Sequence, residues 1–256
     1  MLNKLPLFDS HFHIIDKRFP ISENNGFIPD AFTAQQYLDR MSEYQLLGGA
    51  IISGSFQEYD YSYLTDALGI LGANFVGIVN VKSDISEDEI LTLNKMGVRG
   101  IRINLRRYGQ AALTDLVNLA AKIYEVAQWH VEIYADSRDL CDLMGVISTL
   151  PSVSLDHLGL SEEGFKYVVK LIEMGAYIKA TGFGRLDFSA KAAIINLYSL
   201  NPKRLIFGTD LPSTRVHIPY SDDDFNLVVE TLGETGARDV LSLNALRLYR
   251  MEHLAL

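Results

Sequence analysis

Eight short apolar, β-branched runs, each followed by a segment of helix length, constrain this chain more than any other feature. The runs fall at residues 7–11, 49–53, 75–80, 100–103, 131–135, 153–156, 176–180 and 205–208. Amphipathic segments fill about 33–47, 61–71, 87–95, 113–128, 138–150, 162–174, 190–200 and 223–232, and a final helical segment covers about 238–249. Each gap between runs is long enough for a helical crossover, which implies parallel pairing. Eight such units favour a closed (β/α)8 TIM barrel with an extra C-terminal helix. An open doubly wound sheet is the alternative, but no glycine-rich phosphate loop follows the first run. The length of 256 residues matches the roughly 250 of such a barrel, so residues 1–256 read as one domain.

Local punctuation supports these boundaries. Ser86-Glu87-Asp88-Glu89 has the form of a capping box, with Ser86 as N-cap and Glu89 at the third helical position. Gly97 and Gly175 each follow a helical run, where a left-handed residue is needed. Pro151 and Pro202 fall between helix and strand. The longest loop, 16–30, follows the first strand and would lie over the barrel mouth.

Composition excludes several classes. With 48% hydrophobic residues the chain can fill a large core, so disorder and disulfide-stapled scaffolds drop out. A single cysteine, Cys141, makes neither an intramolecular disulfide nor a CxxC zinc site, which points to a reducing compartment. A net charge of −9 argues against a nucleic-acid partner. The N-terminal stretch has no signal-peptide pattern, and no apolar run reaches the roughly 18 residues of a membrane span. The expectation is a cytoplasmic protein acting on a small molecule, with no membrane partner; its oligomeric state is not legible.

Barrel enzymes place their chemistry at the C-terminal ends of strands, and here those ends are polar. Strand one ends in His11-Phe12-His13, strand four in Arg102-Ile103-Asn104 and strand five in Tyr134-Ala135-Asp136. Strand six ends in Asp156-His157, strand seven in Lys179-Ala180-Thr181 and strand eight in Thr209-Asp210. His11 and His13, two apart, project to one side of an extended strand, a spacing that suits a metal ion or an anionic group. Asp210 suits a metal ligand or a general base, against the plainer role of an Asx-turn or helix cap. His157 suits carbonyl polarisation, leaving-group protonation or metal binding, against that of a core histidine bonded to a backbone carbonyl.

Arg99, Arg102, Arg106 and Arg107 crowd nine residues of an otherwise acidic chain, and guanidinium forks suit carboxylates or phosphates. Arg102 and Asn104 share one side of their strand and are candidate substrate contacts, with Arg106 and Arg107 in the loop beyond. Arg99 reads as a surface residue paired with acids, and Asp156 as a group that orients its surroundings. Lys179 is expected in the barrel interior or in an ion pair and Cys141 in helix packing; His217, in the loop after strand eight, is expected at the surface, with substrate contact as the alternative, and His253 at the surface.

Asp9-Ser10-His11-Phe12-His13, Gly97–Asn104, Asp156-His157-Leu158-Gly159 and Gly208-Thr209-Asp210-Leu211-Pro212 together resemble the amidohydrolase superfamily, in its "amidohydrolase 2" branch of TIM-barrel metal-dependent hydrolases. Trp129–Asp136 and Gly184-Arg185-Leu186 resemble the group of 2-pyrone-4,6-dicarboxylate lactonases and sugar lactonases within it. The resemblance implies hydrolysis of a cyclic ester. It implies catalytic or metal-binding roles for His11, His13, His157 and Asp210, and substrate contacts for Arg102, Tyr134 and Arg185. A further loop arginine of that group matches either Arg106 or Arg107.

The chain departs from metal-binding relatives in having Tyr134-Ala135-Asp136 where many carry a strand-five histidine. No lysine ends strand four, which argues against a carbamylated-lysine binuclear centre. One divalent ion such as Zn2+, held by His11, His13 and Asp210 with His157 as a further ligand, and metal-independent catalysis both stay open. The expected mechanism has Asp210 deprotonating water, His157 with His11 or His13 stabilising the oxyanion, and Arg102 and Arg185 holding a substrate carboxylate. A metal-dependent decarboxylase and a non-catalytic small-carboxylate binder are the alternatives.

Overall fold

The computed structural model describes residues 5–24, 26–104 and 112–255. Eight parallel strands pair in chain order: β1 (Pro6–Phe12), β2 (Gln45–Ile52), β3 (Phe75–Val79), β4 (Val98–Asn104), β5 (His130–Tyr134), β6 (Val153–Leu155), β7 (Tyr177–Ala180) and β8 (Leu205–Phe207). Helices α1 (Ala34–Arg40), α2 (Ser62–Leu71), α3 (Glu87–Lys95), α4 (Ala112–Ala127), α5 (Leu140–Ile147), α6 (Phe165–Glu173), α7 (Ala190–Leu200) and α8 (Asp222–Arg238) alternate with them, and α9 (Asn244–Tyr249) follows. The expected TIM barrel with its extra C-terminal helix is the observed architecture.

Helix faces and strand faces explain the layering. On α6, Val168, Leu171 and Ile172 sit three and four residues apart and are buried against the sheet. Each such side chain contributes roughly 1.5–3 kcal/mol on removal from water. A second apolar cluster fills the barrel's lower interior: Phe8, Ile52, Ile78, Tyr177 and Ile206 meet Leu246 and Tyr249 from α9. The Tyr249 ring stacks on Phe8 at 5.5 Å and its hydroxyl donates to the Ser10 carbonyl at 3.1 Å. The C-terminal helix is therefore the floor of the barrel.

β1 carries the irregularity that shapes the upper interior. Asp9 pairs with Gly49 but Phe12 with Ile51, so three residue steps on β1 face two on β2. A bulge of this kind inverts the alternation. Phe8 points inward below it, His11 and His13 inward above it, and Phe12 outward, stacked on Tyr37 at 3.8 Å.

The seam between the first and last strands closes through loop residues beyond β8. Asp210 N–H donates to the His11 carbonyl and His13 N–H to the Leu211 carbonyl, both at 2.7 Å. Ser10 Oγ donates to the Phe207 carbonyl at 2.6 Å. The Asp9 carboxylate accepts from Thr209 N–H (2.9 Å), Thr209 Oγ (2.7 Å) and Tyr37 OH (3.1 Å). Gly208 permits this approach, because a Cβ there would fall 2.6 Å from both the His11 Cβ and the His11 nitrogen.

Three expectations about elements change. The helix expected over 33–47 ends at Arg40, and the apolar tail of that pattern is strand, since Gln45 and Leu46 pair with Pro6 and Leu7 of β1. Tertiary pairing overrides the local periodicity. The two C-terminal helices are nearly continuous, broken at Gly233 (φ 67°) and joined by a π-helical turn, Asp239–Leu243. At α3 only half of the capping box forms, Ser86 Oγ accepting from Glu89 N–H at 3.2 Å. Thr33 and Gln36 make the complete reciprocal pair at α1.

Candidate active site

The upper mouth opens into a cavity of about 980 Å³. His13, Arg102, Asn104, Tyr134, His157, Arg185 and Asp210 all line it, and His11 lies just beneath with no exposure. Of the expected site residues, only Arg106 and Arg107 fall outside the described residues. The loop after β1 overhangs the mouth as expected, contributing Glu23, Asn24 and Phe27.

Asp210 stands at the centre. Its Oδ2 accepts from Arg185 Nε at 2.7 Å and lies 2.7 Å from Arg185 Nη2 in the ion pair, while its Oδ1 has no hydrogen-bond partner among the described residues. That free oxygen faces His11 Nε2 at 3.7 Å and His13 Nε2 at 3.8 Å. Burial pushes the Asp210 carboxyl up to about 6, against the pull of the Arg185 guanidinium. The backbone at Asp210 has φ 60° and that at His157 φ 50°, a left-handed conformation that non-glycine residues hold only where the surroundings enforce it. The side chain makes no Asx-turn, so the plainer reading of Asp210 does not describe it.

The three imidazoles are buried and each has its own setting. His13 Nδ1 lies 2.7 Å from the Ile52 carbonyl, which only accepts. Nδ1 therefore carries the proton, and Nε2 presents a lone pair to the cavity. Burial pushes this ring down to about 3, so it stays neutral. His157 packs edge-on to His11 (4.9 Å) and Tyr134 (5.4 Å), and its Nδ1 has no partner among the described residues. Among the described residues no backbone carbonyl holds that nitrogen, unlike a core histidine. Burial holds His11 and His157 well below the usual histidine range.

Beneath His11 lies a layer of buried charge. His11 Nδ1 is 3.4 Å from Asp156 Oδ1, 3.5 Å from Glu132 Oε1 and 3.4 Å from Lys179 Nζ. Lys179 pairs with Glu132 Oε2 and donates to the Ser10 carbonyl at 2.9 Å. Arg102 donates to Asp156 Oδ2 from Nε (3.1 Å) and Nη2 (2.9 Å), and to the Ser53 carbonyl from Nη1 (3.0 Å). Burial works against the Asp156 charge, but the Arg102 guanidinium, with Lys179 close by, holds the carboxyl well below its ordinary range. Lys179 thus takes the interior, ion-paired place expected of it. Glu132 was not anticipated, although a charged residue inside the strand HVEIY, in phase with cavity-lining Tyr134, is a legible signal.

Other positions differ from expectation. Arg102 and Arg185 line the cavity but are already paired with buried acids, because an isolated buried carboxylate is costly. Their remaining N–H groups alone are left for a substrate. Arg99 turns to the Asn94 and Val98 carbonyls instead of surface acids. Cys141 is exposed, not packed. His217 keeps to its expected place, exposed in the loop after β8 and lining the cavity mouth, with Arg215 in the same lining.

The donor set suits a metal ion. One ligand atom from each of His11, His157 and Asp210 lies within 4.8 Å of the other two. His11 Nε2, His157 Nδ1 and Asp210 Oδ1 are buried without hydrogen-bond partners among the described residues. Two imidazoles and a carboxylate are ligands that Zn2+ accepts.

A parallel barrel with imidazole, carboxylate and guanidinium groups gathered at its C-terminal mouth has the build of a barrel enzyme. The chain belongs to the amidohydrolase family, whose model matches residues 8–251. A 2-pyrone-4,6-dicarboxylate hydrolase from Comamonas testosteroni is 27% identical over 251 residues, covering 86% of this chain and 82% of its own. A 4-sulfomuconolactone hydrolase from Rhizobium radiobacter is 25% identical over 268 residues, covering 94% and 89%. Among solved structures, a Pseudomonas putida protein provisionally assigned as 2-pyrone-4,6-dicarboxylic acid hydrolase superposes with a TM-score of 0.85 at 23% identity, covering 98% of this chain and 99% of that one. An amidohydrolase 2 from Bifidobacterium longum gives 0.69 at 20%, covering 96% and 99%. These two likenesses speak for the fold. Among the described residues no helix is long and apolar enough to cross a membrane.

Proposed function

We propose that this chain hydrolyses a carboxylate-bearing lactone, with Asp210 as the general base. The observation that carries the reading is the Asp210 carboxylate itself: buried, clamped on one oxygen by Arg185, and free on the other above two imidazole Nε2 atoms. Both named curated relatives act on cyclic esters, which selects this substrate class from those an amidohydrolase barrel serves.

Asp210 Oδ1 and His13 Nε2 are both acceptors and face each other at 3.8 Å, so together they suit the two hydrogens of one water molecule. Asp210 then takes a proton as that water attacks the lactone carbonyl. His13 cannot donate to the developing oxyanion, since its one proton is held by Ile52; His157, whose Nδ1 is unpartnered, takes that role. The unused N–H groups of Arg102 and Arg185 hold the substrate carboxylate and align the carbonyl with the base. Tyr134 and Asn104 complete the wall against which the ring rests. A divalent ion such as Zn2+, held by His11, His157 and Asp210 with His13 alongside, would supply Lewis-acid polarisation of the carbonyl or the water.

Proton release from a lactone panel, with carboxylated pyrones beside neutral sugar lactones, tests the proposal. Turnover of the carboxylated members is expected, and Asp210→Asn is expected to lower kcat by about 10²–10⁴ while binding persists. Silence across the panel, or unchanged turnover in the variant, overturns the reading.

A further inference from the structure

Four arginines line the cavity among the described residues, and they are not equivalent. Arg102 pairs with Asp156 at 2.9 Å, Arg138 with Asp136 at 2.7 Å and Arg185 with Asp210 at 2.7 Å. Arg215 has no carboxylate partner among the described residues; it donates to the Asn24 carbonyl and lies over the Phe27 ring, 4.5 Å from its centre. Two further acids in the lining, Glu23 and Asp187, make no ion pair with Arg215 among the described residues and each accepts a backbone N–H. Glu23 accepts from Gly26 N–H at 3.0 Å and Asp187 from Glu162 N–H at 2.7 Å.

Arg215 is also held in a fixed relation to the base. Arg185 grips Asp210 Oδ2 and, through Nη2, the Thr214 carbonyl at 2.9 Å, so one guanidinium secures both ends of the segment leading to Arg215. Asp210, Ser213 and Arg215 all have positive φ (60°, 64° and 58°), a tight fold that persists only where its surroundings hold it. Phe27 supports the guanidinium by cation–π contact, and beyond the bond to the Asn24 carbonyl its N–H groups have no partner among the described residues at the cavity mouth. A cation in that state has capacity for a charge-assisted, bidentate bond to a carboxylate.

We infer that Arg215 forms a second anion subsite at the mouth, which selects cyclic esters carrying a further carboxylate beyond the one held near Arg102 and Arg185. The inference rests on the lactone-hydrolase reading for what fills the inner cavity, but its binding test does not. Two measurements address it. In the first, kcat/KM for 2-pyrone-4,6-dicarboxylate is divided by that for 2-pyrone-6-carboxylate. In Arg215→Gln this ratio falls roughly 10- to 100-fold, and Arg215→Lys recovers part of the loss, because the charge stays but the fork does not.

In the second, binding of the dicarboxylate and the monocarboxylate is measured by calorimetry on Asp210→Asn protein with and without Arg215→Gln. The second substitution weakens the dicarboxylate by a similar factor and the monocarboxylate by less than threefold. If wild-type protein turns over neither pyrone but the binding preference for the dicarboxylate disappears with Arg215, the hydrolase reading fails and the subsite stands. Equal losses for both compounds, no loss for either, or no binding of the dicarboxylate at all overturns the subsite.

Discussion

At the scale of single residues, the site is a problem of buried charge solved by pairing. Arg185, Arg102 and Lys179 stand against Asp210, Asp156 and Glu132, each acid having one oxygen committed to a cation and the other left facing an imidazole. This leaves Asp210 ionisable near neutrality, and the sign of its pH dependence follows. The proposed base would work only when ionised, and burial raises its carboxyl to about 6. In chelator-treated protein, kcat/KM should therefore rise with pH up to about 6 and level off above it. Arg185→Gln removes a group that lowers this value, so the limb should move to higher pH; a limb that stays in the ordinary carboxylate range contradicts the assignment. The Lys179–Glu132 pair makes a separate prediction. Lys179→Met leaves Glu132 buried and unpaired, and should cost about 3–5 kcal/mol in urea unfolding, while adding Glu132→Leu should recover much of it.

At the scale of elements, the last strand meets the first through a contact only glycine allows. Gly208→Ala should cost about 1–3 kcal/mol by overpacking against His11. It should also lower kcat more than an equal destabilisation elsewhere, because the same seam sets the distance between His11 and Asp210; denaturant midpoints beside kcat check both. Much of this level was legible in the sequence. His11, His13, His157 and Asp210 were placed together because strand ends in a barrel converge on one mouth, whatever their separation along the chain. The bulge in β1 was not legible, since nothing local in DSHFH shows that Phe8 and His11 share the interior. Nor was the short α1: LLGG follows the helical run without a break in apolar period, and only pairing with β1 makes it strand. Glu132 and Arg215 were missed for different reasons. The first hid inside an apolar strand, and the second lay in a loop whose fold depends on three left-handed residues.

At the scale of the whole molecule, the barrel divides into a lower half that is packed and an upper half that is charged. The boundary is Tyr249, whose ring meets Phe8 and His130 and whose hydroxyl reaches Ser10 directly below the histidines. Tyr249→Ala should cost about 3–5 kcal/mol, as aromatic core truncations do, seen as a lower melting temperature. Its effect on KM should be small, because the residue lies below the cavity and does not line it.

That floor has a consequence for traffic. With α9 packed against the lower end, the upper mouth is the way in and out of the cavity that the described residues leave open. On the proposed reaction, opening a lactone turns an ester into a free acid, so the departing molecule would be more negative than the one that entered and would leave past the same guanidinium groups proposed to hold its precursor. Release then competes directly with the next arrival. The ring-opened acid should act as a competitive inhibitor whose hold weakens as salt is added, and progress curves should bend well before the substrate is gone.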